Sequence, residues 1–266
     1  MKFNIGITGY SGSLGKIIKK NKSSHNYFYY KDDIQNKEKL FRWFKKNNLN
    51  VIFHLAAIVP IKIVNKNKKK AYKVNYLGTK NVVDISKKFN LKWLFFASTS
   101  HIYRSSKKPI KENFLKFPIS YYGKTKLISE KYIQKNLRNY CIGRIFSTSN
   151  KNQRKNYLIP DLKDKIKKVR KKIVLKNLNH YRDFISMKDI SKVIHILLEK
   201  NFIGVINIGS GKAVYLKDIA KIILKKYRKN GLFIDNKKKT YLIANIQKLK
   251  KITKLKFNTN IKKMIF

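Results

Sequence analysis

Lys2-Phe-Asn-Ile-Gly-Ile-Thr-Gly-Tyr-Ser-Gly-Ser-Leu-Gly-Lys16 is a short apolar strand, a glycine turn and the start of a helix that continues through Ile17-Ile18. Four of the chain's 11 glycines fall here, at Gly6, Gly9, Gly12 and Gly15. A glycine-rich turn lets the backbone come close to a pyrophosphate, and the first helical N–H groups then point at that anion. The spacing Gly9-x-x-Gly12-x-x-Gly15 is a variant of the dinucleotide-binding fingerprint. Such a triplet also serves as a plain tight turn. Its place directly behind the first strand favours the nucleotide.

Outward from this stretch, apolar runs alternate with helical patterns. Strands are expected at 2–8, 26–30, 51–55, 91–97 and 139–145, with helices at 13–20, 36–47, 68–88 and 121–136. Strand alternating with helix implies an α/β fold, a Rossmann-type doubly wound parallel sheet. After Arg144 the pattern turns polar and irregular over 146–182, with one helix near 160–171 and a short strand at 172–175. Helix 188–199 and strand 203–208 return to the earlier style, and helix 215–228 and a lysine-rich tail complete the chain. The expected organisation is a dinucleotide-binding domain over 1–145, rejoined by 183–208. A smaller interleaved C-terminal substrate lobe takes 146–182 and 209–266.

A length of 266 residues with 43% hydrophobic content suits one large α/β unit with a real core. The single cysteine, Cys141, excludes an internal disulfide and a multi-cysteine metal site. No signal peptide or spanning helix is visible, so a cytoplasmic location is expected, with no membrane partner. The net charge of +51 would ordinarily point to nucleic acid. Only eight of the 64 basic residues are Arg, however, and the lysines are spread along the whole chain. Arginine is the side chain favoured for bidentate phosphate and guanine recognition. The charge is therefore read as compositional bias on solvated surface, with no specific nucleic-acid partner. The scarce acids stand out: Asp33, Glu112, Glu130, Asp183 and Asp189 lie beside other candidate residues, although each also suits a lone lysine.

Tyr122 and Lys126 stand four apart on a helix, hence on one face. A nearby ammonium stabilises a phenolate and equips tyrosine for acid–base work. Four Tyr-x-x-x-Lys pairs occur, about as many as chance supplies with 16 Tyr and 64 basic residues: Tyr27/Lys31, Tyr76/Lys80, Tyr103/Lys107 and Tyr122/Lys126. Context favours the last. Strand 91–97 ends in Ser98-Thr99-Ser100, and ligands of open α/β sheets sit at strand carboxyl ends.

In this order of motifs the chain resembles the extended short-chain dehydrogenase/reductases of the NAD-dependent epimerase/dehydratase type, which act on nucleotide sugars. The residues carrying the resemblance are Thr8-Gly9-x-x-Gly12-x-x-Gly15, Asp33-Ile34, His54-Leu-Ala-Ala57 and Asn75-x-x-Gly78-Thr79. They continue with Ser98-Thr-Ser-His-Ile-Tyr103, Pro118-x-Ser-x-Tyr122-Gly-x-Thr-Lys126 with Glu130, Arg182-Asp-Phe-Ile185 with Asp189, and Asn207-Ile-Gly-Ser-Gly211. The resemblance implies Tyr122 as general acid/base, Lys126 as its tuning partner and nicotinamide-ribose ligand, and Thr99 as the catalytic hydroxyl. It implies that Gly9, Tyr10, Ser11, Gly12, Ser13, Leu14 and Gly15 face the pyrophosphate and Asp33 and Ile34 the adenine. Leu55, Ala56, Ala57 and Asn75 would line the rest of the cofactor, and Ser100 and Arg182 the substrate. For Arg182 a salt bridge to a neighbouring acid is an equal alternative. His54 and His101 lack metal-ligand spacing and read as structural or pocket-lining; no metal is expected.

Departures narrow the chemistry. The family's sugar dehydratases carry Asp-Glu after the catalytic Thr, where this chain has Ser100-His101, so dehydration is not expected. Arg144-Ile-Phe is followed by Ser147, where epimerases often have Asn. The compressed region between strand 26–30 and Asp33 is similar to the dTDP-4-dehydrorhamnose reductase branch. No acid clearly ends that strand and Lys31 lies nearby, leaving NAD or NADP open. The expected function is reduction of a 4-keto nucleotide sugar, with a 4-epimerase as first alternative and a non-catalytic NAD(P) or polyanion binder as a remoter one. The resemblance also implies a homodimer.

Overall fold

The structure is a computed structural model that describes residues 2–21, 23–150, 153, 155–170, 172–257 and 260–266. The first half runs β1 (Asn4–Thr8), α1 (Ser13–Lys20), β2 (Asn26–Tyr29), α2 (Lys37–Lys46), β3 (Val51–His54), α3 (Ile61–Lys66) and α4 (Lys68–Tyr72). It continues with α5 (Gly78–Lys88), β4 (Trp93–Thr99), α6 (Tyr121–Asn136) and β5 (Tyr140–Ile145). Next come β6 (Ser147–Ser149), α7 (Leu158–Lys168), β7 (Lys172–Lys176), β8 (His180–Ser186), α8 (Met187–Glu199) and β9 (Gly204–Ile208). The chain ends with β10 (Ala213–Tyr215), α9 (Leu216–Tyr227), β11 (Asn230–Ile234), β12 (Thr240–Leu242), α10 (Gln247–Thr253) and α11 (Ile261–Ile265).

Six strands form one parallel sheet in the order β2-β1-β3-β4-β5-β9. Side chains alternate across a strand, so each central strand feeds two cores. Val51, Phe53, Trp93 and Phe95 point to the face covered by Ile18 of α1 and by Ile190, Val193, Ile194 and Leu197 of α8. Ile52, Leu94 and Phe96 point to the other face, with Leu40 and Phe44 of α2, Val82 and Val83 of α5 and Ile133 of α6. Burial on both faces is why these strands are near-continuous apolar runs in the sequence. The strand order reverses between β1 and β3, and the crevice at such a switch point is where open α/β sheets take ligands.

The smaller part is built on a second sheet, β10-β8-β12, with β6 pairing to β8, and on the parallel pair β11-β7. Ile159, Leu162 and Ile166 of α7 pack with Phe184 and with Leu216, Ile219 and Ile223 of α9 in a third core. β8 belongs to this sheet, and the chain rejoins the main one through α8 and β9. Ile246, Leu249 and Phe257 near the chain's end reach back into the main core.

Several local expectations change. The helix expected over 68–88 is α4, a π-turn over Lys73–Leu77 and α5. The strand expected at 91–97 runs over Trp93–Thr99, so Ser98 and Thr99 are ladder residues. The stretch read as irregular holds β6 and the start of β8, and the lysine-rich tail holds β11, β12, α10 and α11. Strands of three residues such as β6 and β12 are too short to show a period. α3 begins after Pro60, whose fixed φ suits the start of a helix.

Candidate active site

The turn between β1 and α1 is held by the Gly12 N–H donating to the Gly9 carbonyl at 3.0 Å. Gly9 has φ +72°, and a Cβ there would stand 2.6 Å from the Ala56 nitrogen. At Gly15 a Cβ would stand 2.5 Å from the Tyr10 Cα. These two glycines let the turn nest against the 55–57 backbone and let α1 pack under it. Gly12, the residue that caps α1, is looser: a Cβ there would meet only the Gly9 carbonyl oxygen, at 3.2 Å.

A cavity of about 240 Å³ opens beside this turn, lined by Thr8, Gly9, Tyr10, Ser11, Tyr30, Lys31, Asp32, Asp33, Ile34, Ala56 and Val74. Asp33 accepts the Gln35 N–H at 2.9 Å and the Gln35 amide through both carboxylate oxygens. Asp32 pairs with Lys39 at 3.0 Å. Burial, then Asp32 and Asp33, push the Tyr30 phenol up to about 12, and it donates to the Asp33 carbonyl at 3.1 Å.

Asn75 is fully buried and not open to a ligand. Its amide oxygen accepts the Ile58 N–H at 2.7 Å, and its nitrogen donates to the Ile58 carbonyl at 3.0 Å and to the Thr125 hydroxyl at 3.2 Å. It ties the loop after β3 to α6. His54 joins Thr8 at 2.6 Å and Thr79 at 2.9 Å. Burial, then the Lys126 charge, lower its pKa to about 3. It is a neutral structural link between β1, β3 and α5.

Ser120 caps α6, its hydroxyl accepting the Gly123 N–H at 3.1 Å. In the same first turn, Tyr122 is buried and shares a hydrogen bond with Thr99, which ends β4. Burial pushes the Tyr122 phenol well above its usual range, the nearby Tyr157 adds to this, and the Thr99 hydrogen bond pulls it back. Lys126 lies below, with Nζ 3.8 Å from the Phe96 ring centroid. Burial lowers its pKa to about 7, against the pull of Glu130. The other three Tyr/Lys pairs are committed elsewhere. Tyr27 bonds Ser23 and His195, Tyr76 packs between Tyr72 and Tyr132, and Tyr103 donates to Asn207.

Behind α6 lies a buried polar network. Arg144 pairs with Glu130 at 2.8 Å and donates to the Tyr103 hydroxyl at 2.7 Å and the Glu112 carbonyl at 2.6 Å. Ser98 donates to Glu130, and Glu112 accepts the Asn207 N–H at 3.0 Å. The remaining conspicuous acids are architectural as well. Asp183 accepts from Ser210, Gly211 and Ala244, and Asp189 shares a reciprocal cap with Ser186 at the start of α8.

Arg182 has no carboxylate partner among the described residues. Its guanidinium donates to the Tyr181 carbonyl at 2.7 Å and to the Thr240 carbonyl and hydroxyl at 3.2 and 2.9 Å. Burial lowers its pKa to about 10. Its charge reaches His101, whose ring stands edge-on to Tyr122 with centroids 6.2 Å apart. Ser100 is buried in the same turn. Tyr157 was not among the sequence candidates; it caps α7 in a polar stretch with no motif to mark it.

The family comparison agrees with this architecture. The chain belongs to the family described as GDP-mannose 4,6 dehydratase, whose model matches residues 6–263. It is 28% identical over 217 residues to a GDP-6-deoxy-D-talose 4-dehydrogenase of Aggregatibacter actinomycetemcomitans, covering 77% of this chain and 73% of that protein. It is 24% identical over 229 residues to a dTDP-D-glucose 4,6-dehydratase of Dictyostelium discoideum, covering 80% of this chain. The chain spans 52% of that relative's length and 60% of another curated relative's. Among solved structures, dTDP-4-dehydrorhamnose reductase of Bacillus anthracis in complex with NADP superposes with a TM-score of 0.84 at 18% identity, over 99% of this chain and 98% of that one. The class is therefore that family, and the fold is the one shared by these nucleotide-sugar epimerases, dehydratases and reductases.

Proposed function

We propose that this protein is an NAD- or NADP-dependent oxidoreductase that reduces the 4-keto group of a nucleotide sugar. The observation that carries the reading is the set of side chains around Tyr122. The ionisable group bearing on its phenol is Tyr157, and the turn after Thr99 presents Ser100 and His101. Eliminating water from a sugar needs an acid and a base besides the tyrosine, and neither Ser100 nor His101, the residues next to Thr99, carries a carboxylate. Burial keeps the phenol protonated, the form that a reduction consumes.

The residues fit a dinucleotide. Gly9, Gly12 and Gly15 form the phosphate turn, with Tyr10, Ser11, Ser13 and Leu14 completing it. Asp33 and Ile34, which line the cavity, would meet the adenine, Ala56 and its neighbours Leu55 and Ala57 the cofactor's middle, and Asn75 holds that loop in place. When bound, the nicotinamide group supplies the hydride. Tyr122 Oη donates a proton to the carbonyl oxygen, Thr99 orients that oxygen, and the Lys126 ammonium stabilises the phenolate left behind. Arg182, with no acidic partner among the described residues, meets the substrate's anionic diphosphate. In this reading the main sheet carries the cofactor, the lobe of β8, β10 and β12 carries the substrate, and the working form is a homodimer.

Mixing the protein with dTDP-4-dehydrorhamnose and other 4-keto nucleotide sugars, and following NAD(P)H by near-ultraviolet absorbance, tests this. Net oxidation of the reduced cofactor is expected. Interconversion of sugar epimers without net consumption would establish the 4-epimerase instead. Tyr122→Phe should lower kcat by about 10²–10⁴ while dinucleotide binding persists; an unchanged turnover would remove Tyr122 from the acid/base role, and a wild-type protein that binds dinucleotide with no turnover would establish the non-catalytic binder.

A further inference from the structure

We propose that His101 is a substrate-contacting, specificity-determining residue, its imidazole giving one donor and one acceptor to sugar hydroxyls beside the reacting carbon. This rests on the nucleotide-sugar reading above and gives a definite role to a motif residue otherwise read only as structural or pocket-lining.

The first observation is a contrast among the five histidines. His25 accepts the Phe3 N–H, His54 joins Thr8 and Thr79, His180 joins Thr240, and His195 joins Tyr27 and Ser191. Each of these four has at least one ring nitrogen in a hydrogen bond. His101 alone has none among the described residues, and what holds it in place is its backbone, whose N–H donates to the Thr99 hydroxyl at 3.2 Å. Its side chain is half-buried, so this is no solvated surface ring. Its ring nitrogens are not among the buried unsatisfied atoms of the described residues, so they stay open to a ligand. Sugar hydroxyls can take up both of them without displacing a protein partner.

The second observation is direction. Gly123 packs so tightly on the His101 carbonyl that a Cβ there would collide with it, which locks the turn after β4 to the first turn of α6. The side chain is thereby held edge-on to Tyr122, with Thr99 and Ser100 on its own turn and the Arg182 charge from β8 opposite. Burial first, then Arg182, lowers its pKa to about 4, so the ring is neutral at pH 7 and offers both a donor and an acceptor. Sugar hydroxyls are also both donors and acceptors. A site built to hydrogen-bond a hydroxyl discriminates well against epimers that misplace it.

The test titrates UDP-glucose, dTDP-D-glucose and GDP-mannose into the dinucleotide-loaded protein, comparing wild type, His101→Phe and His101→Gln. His101→Phe keeps the ring packed on Tyr122 and removes both polar atoms; His101→Gln restores a donor and an acceptor. We expect dinucleotide affinity unchanged in both variants. Sugar binding should weaken about tenfold or more in His101→Phe and recover to within about threefold in His101→Gln. With a turned-over substrate, the same loss should appear mainly in KM. Equal sugar binding by wild type and His101→Phe overturns the proposal, as does equal loss in both variants, which would make His101 a packing residue. A wild-type protein that binds dinucleotide but none of the three sugars rejects the nucleotide-sugar reading itself, and this inference with it.

Discussion

Gly9 and Gly12 separate two demands on one turn. Gly9 sits at φ +72° with its α-hydrogen against the Ala56 backbone, so Gly9→Ala forces both a strained torsion and a collision. It should cost about 1–3 kcal/mol of stability and weaken dinucleotide binding, read from urea midpoints and fluorescence titration. Gly12→Ala meets only the Gly9 carbonyl oxygen, so its urea midpoint should stay near wild type while dinucleotide binding falls. Equal binding by wild type and Gly12→Ala would remove that residue from the phosphate turn. The glycine spacing was legible in the sequence because it is local. The commitment of Asn75 to Ile58 was not, because its partner lies 17 residues away and nothing in an Asn-x-x-Gly-Thr pattern names it.

Helix α6 carries Tyr122 and Lys126 on one side and Glu130 one turn on, and Glu130 anchors it to β4 and β5 through Ser98 and Arg144. Glu130 and Arg144 are 1% and 2% exposed. Removing one member of such a pair strands a buried charge, so Glu130→Gln or Arg144→Met should each cost about 3–5 kcal/mol. Replacing both with apolar residues should cost less than the sum of the singles, a coupling that a double-mutant cycle in urea measures. Additive losses would mean that the pair does not act as a unit. Both residues stood inside recognisable motifs, yet their mutual pairing joins a helix to a strand and is invisible to any local pattern. The same holds for the short strands β6 and β12, which exist only because β8 offers them an edge.

Across the described residues, burial holds several basic groups short of protons, three of them strongly at pH 7 and below. Burial lowers His54 to about 3, His101 to about 4 and Lys126 to about 7. The unfolded chain therefore binds more protons than the folded one from about pH 4 to 6.5, through the histidines, and from about pH 7 to 10, through Lys126. Where the unfolded state holds the extra protons, stability rises with pH. Urea midpoints should climb from pH 5 to 7 and again to 9, and Lys126→Met should flatten the upper limb. A midpoint that falls between pH 7 and 9 would contradict the buried, depressed ammonium. The relief of repulsion in a chain of net charge +51 acts in the same direction, and the Lys126→Met comparison separates the two.

The layered parallel sheet and its glycine turn were written in the sequence because they rest on short-range facts. Strands buried on both faces must be apolar throughout, amphipathic helices must show their period, and a close turn must carry glycine. What only the assembled structure decided is how the polar side chains are spent. Four Tyr/Lys pairs share one spacing and only context favours Tyr122/Lys126; packing commits Tyr27, Tyr76 and Tyr103 elsewhere and leaves Tyr122 beside Thr99. Acids that look like site residues turn out to hold Arg144, Ser210 and Ser186, while His101, read from the sequence as structural or pocket-lining, keeps its imidazole unbonded among the described residues. Hydrogen bonds and burial are made between residues distant in the chain, so no local pattern can say which polar group remains available for a ligand.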